Sequence, residues 1–256
     1  MAVEFEKYRP LIEALSSPPI VGDKAFYAPS ELINEKFFLF SDGKLSAYYA
    51  PFHYMNLSAR VVLIGLTPGW TQMERAFRTA KRAMANGLTG DELFDCIEKS
   101  GSFSGPMRKN LVSMLDGIGL NQHLKIISCA ELFGSASALA HFTSAVSAPT
   151  FANGKNFSGH GVSFLKLPKF RQFIIDNLAK ELASLPDAII IPLGKIVDEI
   201  MEFLREGHLI EPARCLLGFP HPSSANGHRK PLYEQGKDHW REQLAGWFVS
   251  PHASLT

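Results

Sequence analysis

Two polar loops rich in glycine and proline carry the residue types best suited to chemistry in this chain. One runs Gly65-Leu66-Thr67-Pro68-Gly69-Trp70, the other His221-Pro222-Ser223-Ser224-Ala225-Asn226-Gly227-His228-Arg229. Glycines let a backbone approach a ligand closely, proline stiffens the turn, and backbone N–H groups in such loops cradle anions. His221 contributes a side chain that exchanges a proton near neutral pH. Thr67, Ser223, Ser224 and Arg229 contribute donors suited to water or phosphate oxygens. Taken singly, either loop is equally well a plain strand-to-helix turn.

Other chemistries are excluded by their missing residues. Gly154-Lys155 is followed by Asn156, so no phosphate-binding loop ending in Gly-Lys-Ser/Thr is present. The chain has no His-Glu-x-x-His zinc helix, and Phe103 rather than serine is central in Gly101-Ser102-Phe103-Ser104-Gly105, so no hydrolase nucleophile elbow forms there. Gly65 to Gly69 does not supply the Gly-x-Gly-x-x-Gly of a dinucleotide fold. The three cysteines, Cys96, Cys129 and Cys215, fit no metal-ligand spacing and leave one unpaired if two were bridged, which points to a reduced, cytoplasmic setting. Neither metal nor cofactor is expected.

The elements that must position the loops read from hydrophobic pattern. Unalternating apolar runs at Val61 to Ile64, Leu124 to Ser128, Ala188 to Pro192 and Cys215 to Phe219 have the character of strands buried on both faces of a parallel sheet. Between them, three sets of apolar residues recur at helical spacing. These are Leu111, Met114, Leu115 and Ile118; Phe170, Phe173, Ile174, Leu178 and Leu182; and Ile196, Val197, Ile200, Met201 and Leu204. Such alternation predicts an α/β layered domain with a mostly parallel central sheet, and ligands of such sheets bind beyond the carboxyl ends of the strands. Both polar loops begin there.

Residues 1–55 are less regular and are expected to form an N-terminal extension packed on a domain spanning 56–256. Residues 134–168, rich in Ser, Ala, Gly and Phe without a clear period, are expected to form a long functional or mobile loop. With 46% hydrophobic and 20% charged residues the chain has the composition of a globular protein, which excludes global disorder. A formal charge of +1 gives no whole-protein field, so any anion site must be local. Glu4, Glu6, Lys7 and Arg9 occupy the segment where a signal peptide would need an apolar run, and no uncharged stretch approaches membrane-spanning length. The expectation is a protein neither secreted nor membrane-bound, acting as a monomer.

The pair of loops resembles the motifs of the uracil-DNA glycosylase superfamily. Gly65 to Gly69 resembles that family's first motif, Gly-x-x-Pro-Gly after a buried strand, and His221 to Arg229 resembles its second, His-Pro-Ser followed by a short loop and often an arginine. Gly101 to Gly105 is similar to the family's aromatic segment before a helix, and Ala188 to Lys195 to the strand ending in Leu-Gly. The likeness spans roughly residues 60–245. It implies a three-layer α/β/α fold, binding of DNA, and hydrolysis of the N-glycosidic bond of a flipped-out base by direct attack of water. Under the resemblance His221 donates to the departing base, Thr67 holds the water, and Phe103 stacks on the base. Ser128 reads the base edge, Ser223, Ser224 and Arg229 hold flanking phosphates, and Gly65, Leu66, Pro68 and Gly69 line the pocket.

Departures from the family shape the expectation further. Several branches carry Asp or Asn where this chain has Thr67, a hydroxyl that can hold a water but is a poor general base. Uracil-specific members place an Asn where Ser128 aligns, and some members wedge a Leu into the base stack where this chain has Ala225. Single-stranded, mismatched or damaged substrates are therefore expected over intact duplex. Iron–sulfur branches use four cysteines, so no cluster is expected here. The alternatives are a non-catalytic DNA- or nucleotide-binding module on the same fold, motivated by Thr67 and Ser128, and an interaction protein using the 134–168 segment.

Overall fold

The computed structural model describes residues 2–17, 20–21, 24–101 and 106–249. In chain order the elements are α1 (Ala2–Glu13), β1 (Ile20–Val21), β2 (Lys24–Ala25), α2 (Pro29–Leu32), β3 (Phe38–Asp42), β4 (Leu45–Tyr48) and β5 (Val61–Gly65). Then come α3 (Trp70–Ala85), α4 (Gly90–Gly101), α5 (Pro106–Gly117), α6 (Leu120–His123), β6 (Ala140–Ser144), β7 (Thr150–Ala152) and β8 (Lys155–Asn156). The chain finishes with α7 (Pro168–Ile174), α8 (Lys180–Ala183), β9 (Ile189–Pro192), α9 (Lys195–Glu206) and α10 (Arg229–Val249). These gather into two units, one of Met1–Tyr54, Thr67–Ser102 and Val146–Phe173, the other of Met55–Leu66, Phe103–Ala145 and Ile174–Thr256.

The second unit holds a parallel sheet in the order β6-β5-β9, extended by a single parallel bridge between Ile190 and Cys215. Val61, Leu63, Ile189 and Ile191 project into a core with Leu111, Leu115 and Ile118 of α5 and Trp240 and Leu244 of α10. Val62, Ile64 and Ile190 project to the opposite face and are equally inaccessible. Burial of both faces is why these strands read as unbroken apolar runs, and it defines the three-layer α/β/α class expected from the sequence. The amphipathic pattern of α9 buries Val197, Ile200, Met201 and Leu204. On β6, buried His141 is accommodated by a 2.6 Å contact of its Nε2 with Glu181 Oε1.

The first unit is built on an antiparallel sheet, β3-β4-β7-β8, with α3 and α4 packed together. Its core joins Phe5, Tyr8 and Ile12 of α1 to Phe37, Tyr49, Phe77, Leu93, Ile97 and Phe151, with Tyr8 stacked on Tyr49 at 3.7 Å. Lys81 donates to the carbonyls of Glu13 and Leu15, tying the end of α1 to α3. The described residues up to Tyr54 thus fall in one unit with the helices that follow the first polar loop.

The structure corrects three expectations. Cys215 to Phe219 is not a strand: Cys215 alone pairs, in the bridge with Ile190, and the chain turns at Leu217 and Gly218, which has φ 82°. Leu124 to Ser128 is not a strand: Lys125 turns left-handed at φ 57°, Ile127 is 92% exposed, and Ser128 caps a short 3-10 helix at Cys129–Phe133. The strand beside β5 is instead β6, inside the stretch expected to be irregular, which also supplies β7 and β8. The tight Asn153-Gly154 connection, with φ of 50° and 74°, matches the two-residue hairpin geometry that Asn-Gly favours. The helical pattern from Phe170 to Leu182 is real but carries a π segment at Ile175–Ala179 between α7 and α8. No described helix is long and apolar enough to cross a membrane, and all three cysteines are free thiols.

Candidate functional site

In the parallel sheet, three segments end at one edge. Leu193 N donates to Ile64 O, and Gly194 N donates to Phe219 O, so the ends of β5 and β9 and the stretch leading to His221 lie side by side. Trp240 Nε1 holds Leu217 O at 2.9 Å, and Asp198 Oδ1 accepts from Gly218 N at 3.1 Å, fixing the approach to the loop. Burial pushes Asp198 up to about 7, the Gly218 bond only partly opposing it. Gly194, at φ 97°, faces His221 so closely that a Cβ placed on it would lie 3.0 Å from His221 Cβ. Only glycine satisfies both the conformation and the approach.

The His221 ring is half-buried, and burial holds its pKa below the ordinary imidazole value. Its Nδ1 accepts from Ser223 N at 3.2 Å. A ring that accepts at Nδ1 is neutral and carries its proton on Nε2, so the imidazole is a neutral donor. The backbone around it is tied inward. Asn226 Nδ2 donates to His221 O at 3.2 Å, and Arg229 Nη1 to Pro222 O at 3.1 Å and Ser223 O at 2.9 Å. Asn110 Nδ2 donates to Pro222 O at 2.9 Å and to Ser224 Oγ at 3.2 Å. Ser223 Oγ accepts from Ala225 N, while Ser224 remains exposed.

The first polar loop begins with half-buried Gly65 and Leu66 at the end of β5. Thr67, buried Pro68 and Gly69 belong to the first unit. There Thr67 Oγ1 donates to Ala148 O at 2.9 Å, which commits its proton and leaves oxygen lone pairs to accept from another donor. The start of α3 is not an open anion cradle. Gly69 N donates to Gln72 Oε1 and Trp70 N to Asn156 Oδ1, while the Asn156 amide also lies 3.3 Å from where a Gly69 Cβ would sit.

The structure therefore gathers Gly65, Leu66, His221, Ser223, Ser224 and Arg229 in the second unit and sets Thr67, Pro68 and Gly69 among residues of the first. Phe103 lies outside the described residues. Ser128 does not end a strand; its Oγ donates to Asp116 Oδ2 at 2.7 Å and accepts from Ala130 N. Asp116 stands six positions beyond Asn110 on α5, roughly 9 Å along the helix, so Ser128 is anchored well past the point where α5 meets the His221 loop. The strand partner of Gly65 is Ser144. Sequence reasoning missed Asn110, Gly194 and Asn156 as parts of the site's frame; of these only Gly194, in the Leu-Gly pair, carried a visible signal. A cavity of about 390 Å³ lined by Lys44, Ser46, Tyr48, Phe151 and Asn153 belongs to the antiparallel sheet and contains none of the expected site residues.

Residues 52–245 match the uracil DNA glycosylase superfamily, and the chain belongs to that family. The chain is 35% identical over 230 residues to "Uncharacterized protein YoxB" of Bacillus subtilis (strain 168), covering 87% of this chain and 90% of that protein. No solved structure matches the chain. Membership brings the glycosylase-like fold, with hydrolase and DNA repair chemistry at the level of the family.

Proposed function

We propose that this protein removes uracil or another altered base from DNA by direct attack of water on the N-glycosidic bond, with His221 as donor to the leaving base. The observation that carries the reading is the His221 ring itself. Its Nδ1 is occupied by the Ser223 N–H, and burial disfavours the charged form. Cleavage leaves negative charge on the departing base, and a fixed neutral Nε2–H stabilises that charge more than it stabilises the uncharged ground state. A half-buried donor acts through a lower effective dielectric than one in water, which strengthens the effect.

The remaining roles follow from side-chain chemistry. Thr67, its proton held by Ala148 O, offers a fixed acceptor to a water. It orients that water without deprotonating it, which suffices once the base has largely departed and the sugar carbon is strongly electrophilic. Ser223, Ser224 and the backbone of the second loop bind the phosphates beside the extruded nucleotide, with Gly65, Leu66, Pro68 and Gly69 against the base and sugar. Arg229 contributes through the loop it ties.

A non-catalytic DNA-binding module is the second reading. What favours it is that the first motif, Gly65 to Gly69, carries no carboxylate and that its one hydroxyl, on Thr67, has its proton committed to Ala148 O. One experiment separates the two. The protein is incubated with single- and double-stranded oligonucleotides carrying uracil, hypoxanthine, xanthine or no lesion, and abasic sites are cleaved with alkali. Release of one altered base is expected, reduced roughly 10²-fold in single-turnover rate by His221→Ala with little change in DNA affinity. Retained binding with no release from any substrate leaves the binding module as the account.

A further inference from the structure

We infer that Asn110 and Arg229 are positioning residues that fix the tautomer of His221, acting through the single peptide unit joining Pro222 to Ser223. The inference rests on the reading of His221 as a donor, but the geometry behind it is independent of any activity. The Pro222 carbonyl and the Ser223 N–H belong to one amide plane and point in opposite directions across it. On one side the carbonyl accepts from Asn110 Nδ2 at 2.9 Å and Arg229 Nη1 at 3.1 Å. On the other side the N–H donates to His221 Nδ1 at 3.2 Å. The plane cannot turn without breaking both sets of bonds together.

The consequence for the imidazole is specific. With the plane as it stands, Nδ1 meets a donor, so the ring proton resides on Nε2. Turning the plane over would bring the carbonyl toward Nδ1, select the Nδ1–H tautomer and convert Nε2 from donor to acceptor. A leaving base that develops negative charge would then meet a lone pair. Which end of the amide faces the ring therefore decides whether His221 can act. That choice is made by two side chains whose hydrogen bonds, among the described residues, go to backbone carbonyls and to Ser224 rather than to the imidazole.

The two holders come from different elements, which makes the amide rigid in more than one direction. Asn110 lies on α5 and Arg229 opens α10. Arg229 spans the carbonyls of Pro222 and Ser223 with one nitrogen, so a cation is drawn into the loop. A charged donor on a carbonyl polarises the amide and strengthens its N–H as a donor, which reinforces the bond to Nδ1. Asn110 has a second effect, since Ser224 Oγ accepts from it at 3.2 Å and so keeps its own proton for another acceptor such as a phosphate oxygen.

The test reads the tautomer directly. Long-range proton–nitrogen spectra of the imidazoles are recorded near neutral pH on the full-length, nitrogen-15-labelled protein, with His221 assigned by its loss in His221→Ala. The wild-type ring is expected to show two widely separated nitrogen shifts, with Nε2 protonated. In Asn110→Ala the shifts should move toward each other as the tautomers mix, and further in Asn110→Ala/Arg229→Ala. Arg229→Lys, which keeps a cationic donor, should lie nearer wild type than Arg229→Ala. Wild-type His221 shifts in a natively dispersed double variant overturn the inference; if the double variant does not fold, unchanged shifts in Asn110→Ala do so. Where a substrate has been found, Asn110→Ala should slow single-turnover release by roughly tenfold or more. Absence of base release from the wild type would refute the glycosylase reading and leave the spectroscopic result to stand or fall alone.

Discussion

Gly194→Ala is the substitution for which the structure gives the clearest magnitude. Gly194 has φ 97° and ψ 158°, a combination that essentially only glycine adopts. Forcing an L side chain into it costs roughly 1–3 kcal/mol in backbone strain. A second contribution comes from the new Cβ, which would lie 3.0 Å from His221 Cβ and 3.5 Å from His221 N. Neither neighbour is the far end of a flexible side chain, so the His221 backbone must shift by a few tenths of an ångström. For a chain of this size 1 kcal/mol corresponds to roughly 2–4 °C in Tm, so the backbone contribution alone lowers Tm by about 2–12 °C. Gly87→Ala is the control, because Gly87 also has positive φ, at 82°, but its added Cβ meets nothing within 4 Å. It should lose roughly 1–2 kcal/mol and leave the His221 imidazole resonances in place. Scanning calorimetry and imidazole spectra on the two variants decide the matter. A Gly194→Ala protein as stable as wild type, or one whose His221 resonances match wild type, refutes the claim that this glycine holds the loop.

Substitutions at two further positions probe the charges and the water. The folded-state pKa of Asp198, about 7, lies above its ordinary value, so the folded protein holds that proton more tightly than the unfolded chain does, and stability is lost as pH rises through about 7. Asp198→Asn keeps an oxygen for the Gly218 N–H without the charge; it should raise Tm at about pH 8 and lose that advantage toward about pH 4, and a pH-independent difference would contradict this. Thr67→Ala should slow single-turnover base release modestly, and Thr67→Asp should accelerate it provided its carboxylate reaches the water without repelling phosphates. Unchanged release in Thr67→Ala removes the hydroxyl from the mechanism.

Much of the sheet was legible because parallel strands buried on both faces need no partner information to be seen: Val61 to Ile64 and Ala188 to Pro192 are apolar at every position up to a proline or glycine. Leu124 to Ser128, apolar only at Leu124, Ile126 and Ile127, failed, since one left-handed residue, Lys125, and the capping role of Ser128 turn the run into a helix end and an exposed tip. Its replacement, β6, hid because His141 and Thr143 interrupt the apolar pattern, and the polar residue is tolerated only through Glu181, forty positions away. The polar loops were legible for a local reason: glycine, proline and a His-Pro pair report backbone geometry directly. Asn110 was not, because an asparagine on a helix has the pattern of a solvated position, and its contacts with Pro222 and Ser224 span 112 and 114 residues. The proton on His221 was illegible for the same reason, being set by the direction of one backbone N–H.

The two loops divide rigidity unequally, and this bears on the order of events in the proposed reaction. Around His221 the three consecutive carbonyls of His221, Pro222 and Ser223 are held by Asn226, by Asn110 and Arg229, and by Arg229, so the donor proposed for the leaving base sits on a loop already tied in place. Preorganised donors of this kind contribute most where charge develops and require no rearrangement at that moment. On the other side of the reaction, Thr67 offers only a hydroxyl oxygen, whose own proton is spent on Ala148. Such a group cannot drive an early attack by generating hydroxide, so it favours a path in which the glycosidic bond breaks well ahead of water addition. On that path the rate depends strongly on the charge-accepting ability of the base and only modestly on water activation. Bases that leave easily should then be released faster than those that leave with difficulty, across the whole lesion panel. The preference would reside in leaving-group chemistry and in the His221 frame, with little demand on base-edge recognition by a residue such as Ser128, whose hydroxyl is committed to Asp116.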